Sequence, residues 1–403
     1  MMISETTSTS SSVPLAEQPQ AVTSHFKSRA EDLSRAPRRN RNHNRNRSRD
    51  AKAIAVCVAF GCLLLTLVIF ACGIGAVRIP AFNVAYILAS TLGIALPADV
   101  SEQHVNVLLL IRLPRVLLGV VVGAGLGVAG AAVQGLFRNP LADPALIGIS
   151  SGATVGAVTF ISLGGMLPFV GAWLVQHPVW NAFGLQIMAF ASGFVAVWFV
   201  YRIATSFGVT SIAAMLLAGV AITALAEVYT GYIIFTANDA QLRNINFWRL
   251  GSLGAASWRS LSVLTLLVVP SCLLAMRFAE PLNALLLGER DAENVGVNVQ
   301  LLKRAMLALT ALIVGSSVAL CGIIWFVGLV TPHLLRLLIG PNHRFLMPSS
   351  ALAGASLLVI ADLVARTIAA PAELPLGIVT AALGAPVFIG LLLKERRSNG
   401  LFM

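Results

Sequence analysis

MRFAEPLNALLLGERDAENVGVNVQLLKR, Met276–Arg304, is a long polar interruption in the last third of a very apolar chain. Asn283–Leu287 reads as a short helix and Gly288 as a break. Glu289–Val295 reads as a second short helix, stopped by Gly296. Glu289, Arg290, Asp291 and Glu293 are too charged to lie in lipid. Long apolar runs flank the stretch on both sides. It is therefore a two-part helical loop held at a membrane surface, and the chain around it reads as an all-α polytopic membrane protein.

Composition agrees. The 403 residues are 57% hydrophobic and 11% charged, with a mean hydropathy of +0.84, where soluble domains carry about 25% charged residues. Ten apolar segments follow the N-terminal region, at 53–74, 114–136, 142–163, 182–203, 212–236, 259–278, 305–326, 328–340, 347–369 and 376–393. Each is measured against the roughly 20 residues that span a bilayer. The eighth is short and interrupted by proline. Segments 81–96 and 104–111 read as interfacial.

Residues 1–50 are Ser/Thr/Pro-rich, then Arg/Asn-rich (RAPRRNRNHNRNRSRD, 35–50), and are expected to form a disordered basic cytoplasmic tail. The membrane domain is expected over 51–397. Ten of the 28 Lys and Arg lie in the first 52 positions. The net charge of +11 is thus read as positive-inside topology rather than nucleic-acid binding. With the tail inside, both termini are cytoplasmic. Arg78, Arg112, Arg115, Arg243, Arg249, Arg259 and Arg366 are left outside, more than topology favours. Gly123, Gly130 and Pro140 share their spacing with Gly315, Gly322 and Pro332, 192 positions later. Five spans separate the sets, which predicts two inverted five-helix repeats.

No GxxxxGK[ST] is present, so the chain has no P-loop for ATP. It has no metal-ligand motif, and no set of side chains reads as catalytic. The five cysteines lie in or beside apolar runs without CxxC spacing, as small buried residues do. Transport is the expected role. Glu227 in the fifth span is open to two readings. One is a carboxylate hydrogen-bonded to Tyr229, Tyr232 or a neighbouring helix, and the other is a substrate path or proton relay. The second reading would make the chain an ion-coupled secondary transporter. Asp362 and Arg366 form an i,i+4 pair.

Five stretches carry a resemblance. They are LIRLPRVLLGVVVGAGLGVAGAAVQGLFRNPLADPALIGISSGATVGAV (110–158), FWRLGSLGAASW (247–258), LGERDAENVGV (287–297), 326–366 and ELPLGIVTAALGAPVFIGLLLK (373–394). Together they resemble FecCD-type permeases of ABC importers, which take up iron-siderophores, haem and cobalamin. The resemblance implies a ten-helix, cobalamin-permease-like fold in the bacterial inner membrane. It implies a homodimer, two separate ATPase subunits that bind ATP and Mg, and a periplasmic binding protein. No cofactor is implied on this chain. The loop at about 280–300 resembles the coupling helices that sit on the ATPase, matched at Leu287, Gly288, Glu289, Ala292 and Gly296. Arg112, Arg115 and Arg366 match positions that meet acidic residues of the binding protein. The path is implied at the dimer interface, between spans five and ten, with Glu227 as a departure in its wall. A cytoplasmic gate is implied near Thr210, Ser211 and Ala214. NDAQLRNINFWRLGSLG (238–254) and GISSGA (148–153) look most like the haem branch, making haem the first expected cargo. Ferric siderophore and cobalamin are the alternatives.

Overall fold

The computed structural model describes residues 38–398, apart from 76, 92, 94–99 and 167–175. The chain divides into two units after Lys52. The described part of the first unit is helical. It belongs to α1 (Arg38–Gly73), whose remainder opens the second unit. Residues 38–50, expected to be disordered, thus continue the first apolar helix. Extending an existing helix requires no new nucleus. The rest of the expected tail, 1–37, lies outside the described residues.

Among the described residues, the regular structure of the second unit is helical apart from a two-stranded hairpin. Its further helices are α2 (Ala81–Ser90), α3 (Glu102–Leu136), α4 (Ile149–Met166), α5 (Pro178–Ala204), α6 (Ile212–Thr236) and α7 (Asp239–Arg249). They continue as α8 (Trp258–Arg277), α9 (Ala279–Leu285), α10 (Glu289–Asn294), α11 (Val299–Cys321), α12 (Val327–Ile339), α13 (His343–Ala365) and α14 (Leu376–Ser398). Among the described residues, seven helices are long and apolar enough to cross a membrane. Three of the shorter apolar helices, in α4, α12 and α14, occupy the remaining expected segments. The polar stretch that holds α7 divides these ten into two sets of five.

Residues 104–111, read as interfacial, instead form the first turns of α3, with a π-helical stretch at Val107–Arg112. Pro114 lies at the start of the following α-helical run. It has no N–H to give to the preceding turn and crowds the carbonyl there, so the backbone widens.

α3 is the centre of the bundle, with α13 as its main neighbour. The small residues of GVVVGAGLGVAGAAVQG make that approach possible. A Cβ at Gly127 would strike the Ser350 carbonyl, and one at Gly130 would strike Gly328. Without a hydrophobic difference between lipid and helix, such backbone proximity is what holds membrane helices together. α6, by contrast, keeps Leu217, Val220, Leu225, Val228, Tyr232 and Phe235 exposed along its length.

Candidate functional site: the elbow and the opposite charge cluster

The loop of the opening stretch is an elbow of two short helices. The first, α9, starts and stops a little earlier than its sequence pattern suggests. Gly288 has φ +130° and ψ 157°, a conformation that is essentially glycine's alone. Gly296, at φ +88°, closes the second helix. Ala292 is fully buried beneath α10, whereas Leu287 and Val295 are 73% and 69% exposed. Arg290, Asp291 and Glu293 are exposed beside them. The elbow therefore presents apolar tips ringed by charge, the composition of a docking surface with a partner.

Two sets of bonds hold the elbow. Asn283 of α9 donates through Nδ2 to Asn342 Oδ1 at 2.8 Å, and its Oδ1 accepts from the His343 backbone N–H at 2.8 Å. That fastens α9 to the turn between α12 and α13. On α10, Glu289 Oε2 accepts from Lys303 Nζ at 2.8 Å. Lys303 lies in the first turns of α11 and is 1% exposed. Its ammonium also donates to the Thr210 carbonyl at 2.7 Å.

Thr210 ends a hairpin of β1 (Thr205–Ser206) and β2 (Val209–Thr210) that precedes α6. Phe207 and Gly208 turn it with positive φ. The Thr210 N–H donates to Gln300 Oε1 at 3.0 Å. Ser211 caps α6, its hydroxyl accepting from the Ala214 N–H at 3.4 Å. The elbow and the hairpin, which holds Thr210 of the expected gate, thus meet through Lys303 and Gln300. Neither residue stood out in the sequence except as a polar flank of an apolar run.

The other cluster is at the far end of α13. His343 is held at the elbow, and Asp362 lies nineteen residues along the same helix, about 28 Å away at 1.5 Å per residue. Arg115 Nε donates to Asp362 Oδ1 at 2.9 Å. Its other two nitrogens reach both oxygens of Glu373, at 2.8 and 3.0 Å. This is the bidentate geometry in which arginine is strongest. These bonds from Arg115 hold the Glu373 carboxyl below the ordinary carboxylate range. Arg366 stands 3.5 Å from Asp362 and donates to the Ala71 carbonyl. Arg112 is 5% exposed and donates to the carbonyls of Cys72, Gly73 and Val77. The three arginines expected on an open docking surface are therefore turned inward. Arg112 ties the end of α1 to α3, Arg115 bridges α3 to α13 and the loop before α14, and Arg366 ties α13 to α1. Arg112 and Arg366, which look like free surface charge in sequence, are drawn in by backbone carbonyls at and beyond the end of α1, which need donors, and Arg115 by two carboxylates.

Glu227 on α6 pairs with Arg249, which ends α7, at 3.2 Å. The neighbouring-helix reading is the one the geometry takes. The Tyr229 hydroxyl bonds Thr159 instead. Among the described residues no group of His, Cys, Asp and Glu is placed to hold a metal.

Comparison with known proteins gives the chain a family. The chain is 42% identical to the hemin transport system permease protein HmuU of Yersinia pestis, over 84% of this chain and 96% of that one. It is 39% identical to the cobalamin import system permease protein BtuC of Halobacterium salinarum, over 81% and 82% of the two chains. A solved structure described as an inward-facing conformation of a metal-chelate type ABC transporter superposes with a TM-score of 0.71. That match has 29% identity and covers 84% of this chain and 99% of the other. The FecCD transport family matches residues 63–394, from α1 to the last apolar helix, and the chain belongs to that family as an ABC-importer permease.

Proposed function

We propose that this permease moves haem from periplasm to cytoplasm as a homodimer. Two ATP-binding-cassette subunits hydrolyse MgATP on its behalf, and a periplasmic haem-binding protein delivers the cargo. The membrane is the bacterial inner membrane, with both termini in the cytoplasm. The observation that carries the reading is the elbow: Leu287 and Val295 exposed on a backbone fixed by Gly288 and Gly296. A chain without a P-loop needs such a surface to receive work from another subunit. In this orientation the elbow faces the cytoplasm and the Arg115–Asp362–Glu373 cluster faces the periplasm. Glu373, with its side chain 47% exposed, and Arg115 and Arg366 behind it form the docking face for the binding protein. Arg112 keeps that face rigid from below. The exposed apolar edges of α6 and α14 meet their counterparts in the second copy, with the path between them. Thr210, Ser211 and Ala214 stand at its cytoplasmic mouth.

Haem is favoured by the relationship to the hemin permease and by 238–254 and 148–153. Cobalamin is the second reading, because relatives named for cobalamin import are nearly as similar. An ion-coupled carrier would need Glu227 to exchange protons along a relay, and Glu227 instead has Arg249, an always-charged partner. The test is uptake into proteoliposomes holding permease, ATPase and binding protein, supplied with hemin, cobalamin or a ferric siderophore. Haem import predicts ATP-dependent accumulation of hemin alone. Accumulation of cobalamin alone would transfer the assignment to the second reading.

A further inference from the structure

The elbow is held differently at its two ends. α9 is fastened to the α12–α13 turn by Asn283. α10, across Gly288, is held by the Glu289–Lys303 pair, whose ammonium in turn grips the hairpin. A three-donor ammonium with 1% exposure has little choice of partner, since a charge in a water-free site must be compensated. Lys303 and Gln300, three residues apart on one face of α11, hold both backbone groups of Thr210. The next residue, Ser211, starts α6. A shift of α10 therefore pulls on Lys303, and Lys303 pulls on the residue from which α6 departs.

We propose that Lys303 is the positioning residue that carries movement from the ATPase-facing helix to the hairpin at the mouth of α6. Gly288 is the hinge, α9 the fixed side and α10 the driven side. This rests on the elbow being the ATPase site, and the test separates the two claims.

The experiment uses the intact importer in nanodiscs, with spin labels introduced by Phe207→Cys on the hairpin and Pro341→Cys beside the Asn283 anchor. Their separation is measured by pulsed electron resonance before and after trapping with MgATP and vanadate. The labelled but otherwise unsubstituted importer should show a change in separation. In Lys303→Met the ATPase should remain bound, and the change should shrink at least severalfold. The exchange Glu289→Lys with Lys303→Glu discriminates further. It restores the ion pair, but a carboxylate cannot donate to the Thr210 carbonyl. The ATPase should stay bound while the hairpin stays still. Gln300→Ala, which frees the Thr210 N–H and leaves the ion pair intact, should reduce the change by a smaller factor and stands in if the Lys303 variants do not assemble. An unsubstituted importer that fails to hold the ATPase overturns the coupling site and this inference together. Bound ATPase with full hairpin movement in Lys303→Met, in the exchanged pair or in Gln300→Ala overturns this inference alone.

Discussion

The two ends of α13 solve the same problem in opposite ways. At the far end, two arginines and two carboxylates interlock, and the backbone carbonyls of Ala71, Cys72, Gly73 and Val77 take up further donors. Arg112, Arg115, Arg366 and Asp362 each have more than one partner there, so the helices are tied to one another by several bonds. At the elbow, one lysine joins one carboxylate to one carbonyl, and the chain on either side is broken by glycines with positive φ. Redundant bonds make an end that stays still. A single buried tether on α10, beside an α9 that Asn283 anchors, makes a helix that moves as a unit when pulled. An importer whose energy enters at one face and whose cargo enters at the other has use for both.

The sharpest way to break this comparison is Arg115→Ala. It leaves Asp362, 3% exposed, with only the longer contact to Arg366. Leaving a buried charge wholly uncompensated costs about 3–5 kcal/mol; with the Arg366 contact left the loss is a part of that, and the melting temperature of the purified permease should still fall by several degrees. An unchanged melting temperature would mean that the far end is not the locked one.

Gly288→Val comes next. A β-branched residue at φ +130° is strained by about 1–3 kcal/mol. The strain falls on the elbow alone, so ATPase co-purification should drop with little change in permease melting.

The Glu373 carboxyl, held below its ordinary pKa by Arg115, gives a smaller effect with a definite sign. Its contribution to stability is complete above the unfolded-state value and is lost as pH falls through the lower folded-state value. The melting gap between wild type and Glu373→Gln should therefore be flat from neutral pH down to the ordinary 4.5 and close only below it. A gap that closes above 4.5 would contradict the bidentate pairing. The smallest effect belongs to Glu227→Gln. Its pair with Arg249 is largely exposed, where such pairs contribute about 0–1 kcal/mol. ATP-driven uptake should persist in that variant, and its loss would revive the relay reading.

Sequence carried the architecture because local signals decide it. The ten apolar segments and the breaks at Gly288 and Gly296 act within a turn or two of themselves, and the small residues of α3 are legible as a stripe although the backbones they admit lie about 200 positions away. The site was less legible for the opposite reason. Lys303 meets a carbonyl 93 positions away and Arg115 a carboxylate 247 positions away, and no spacing rule encodes either. The Asp362–Arg366 pair is visible in sequence as i,i+4, but nothing there shows that its third member, Arg115, turns inward to it. The extension of α3 through 104–111 is hidden by Arg112, Pro114 and Arg115, which separate the apolar run at 107–111 from the longer one after it.

On the proposed function, work enters at the elbow and not at the far cluster. Affinity-tagged permease should be purified with its ATPase in three forms: wild type, Glu289→Arg and Glu373→Gln. Glu289→Arg sets a second cation against the buried Lys303 and should lose most of the ATPase, while wild type and Glu373→Gln retain it. Full retention of an active ATPase by Glu289→Arg would contradict the claim.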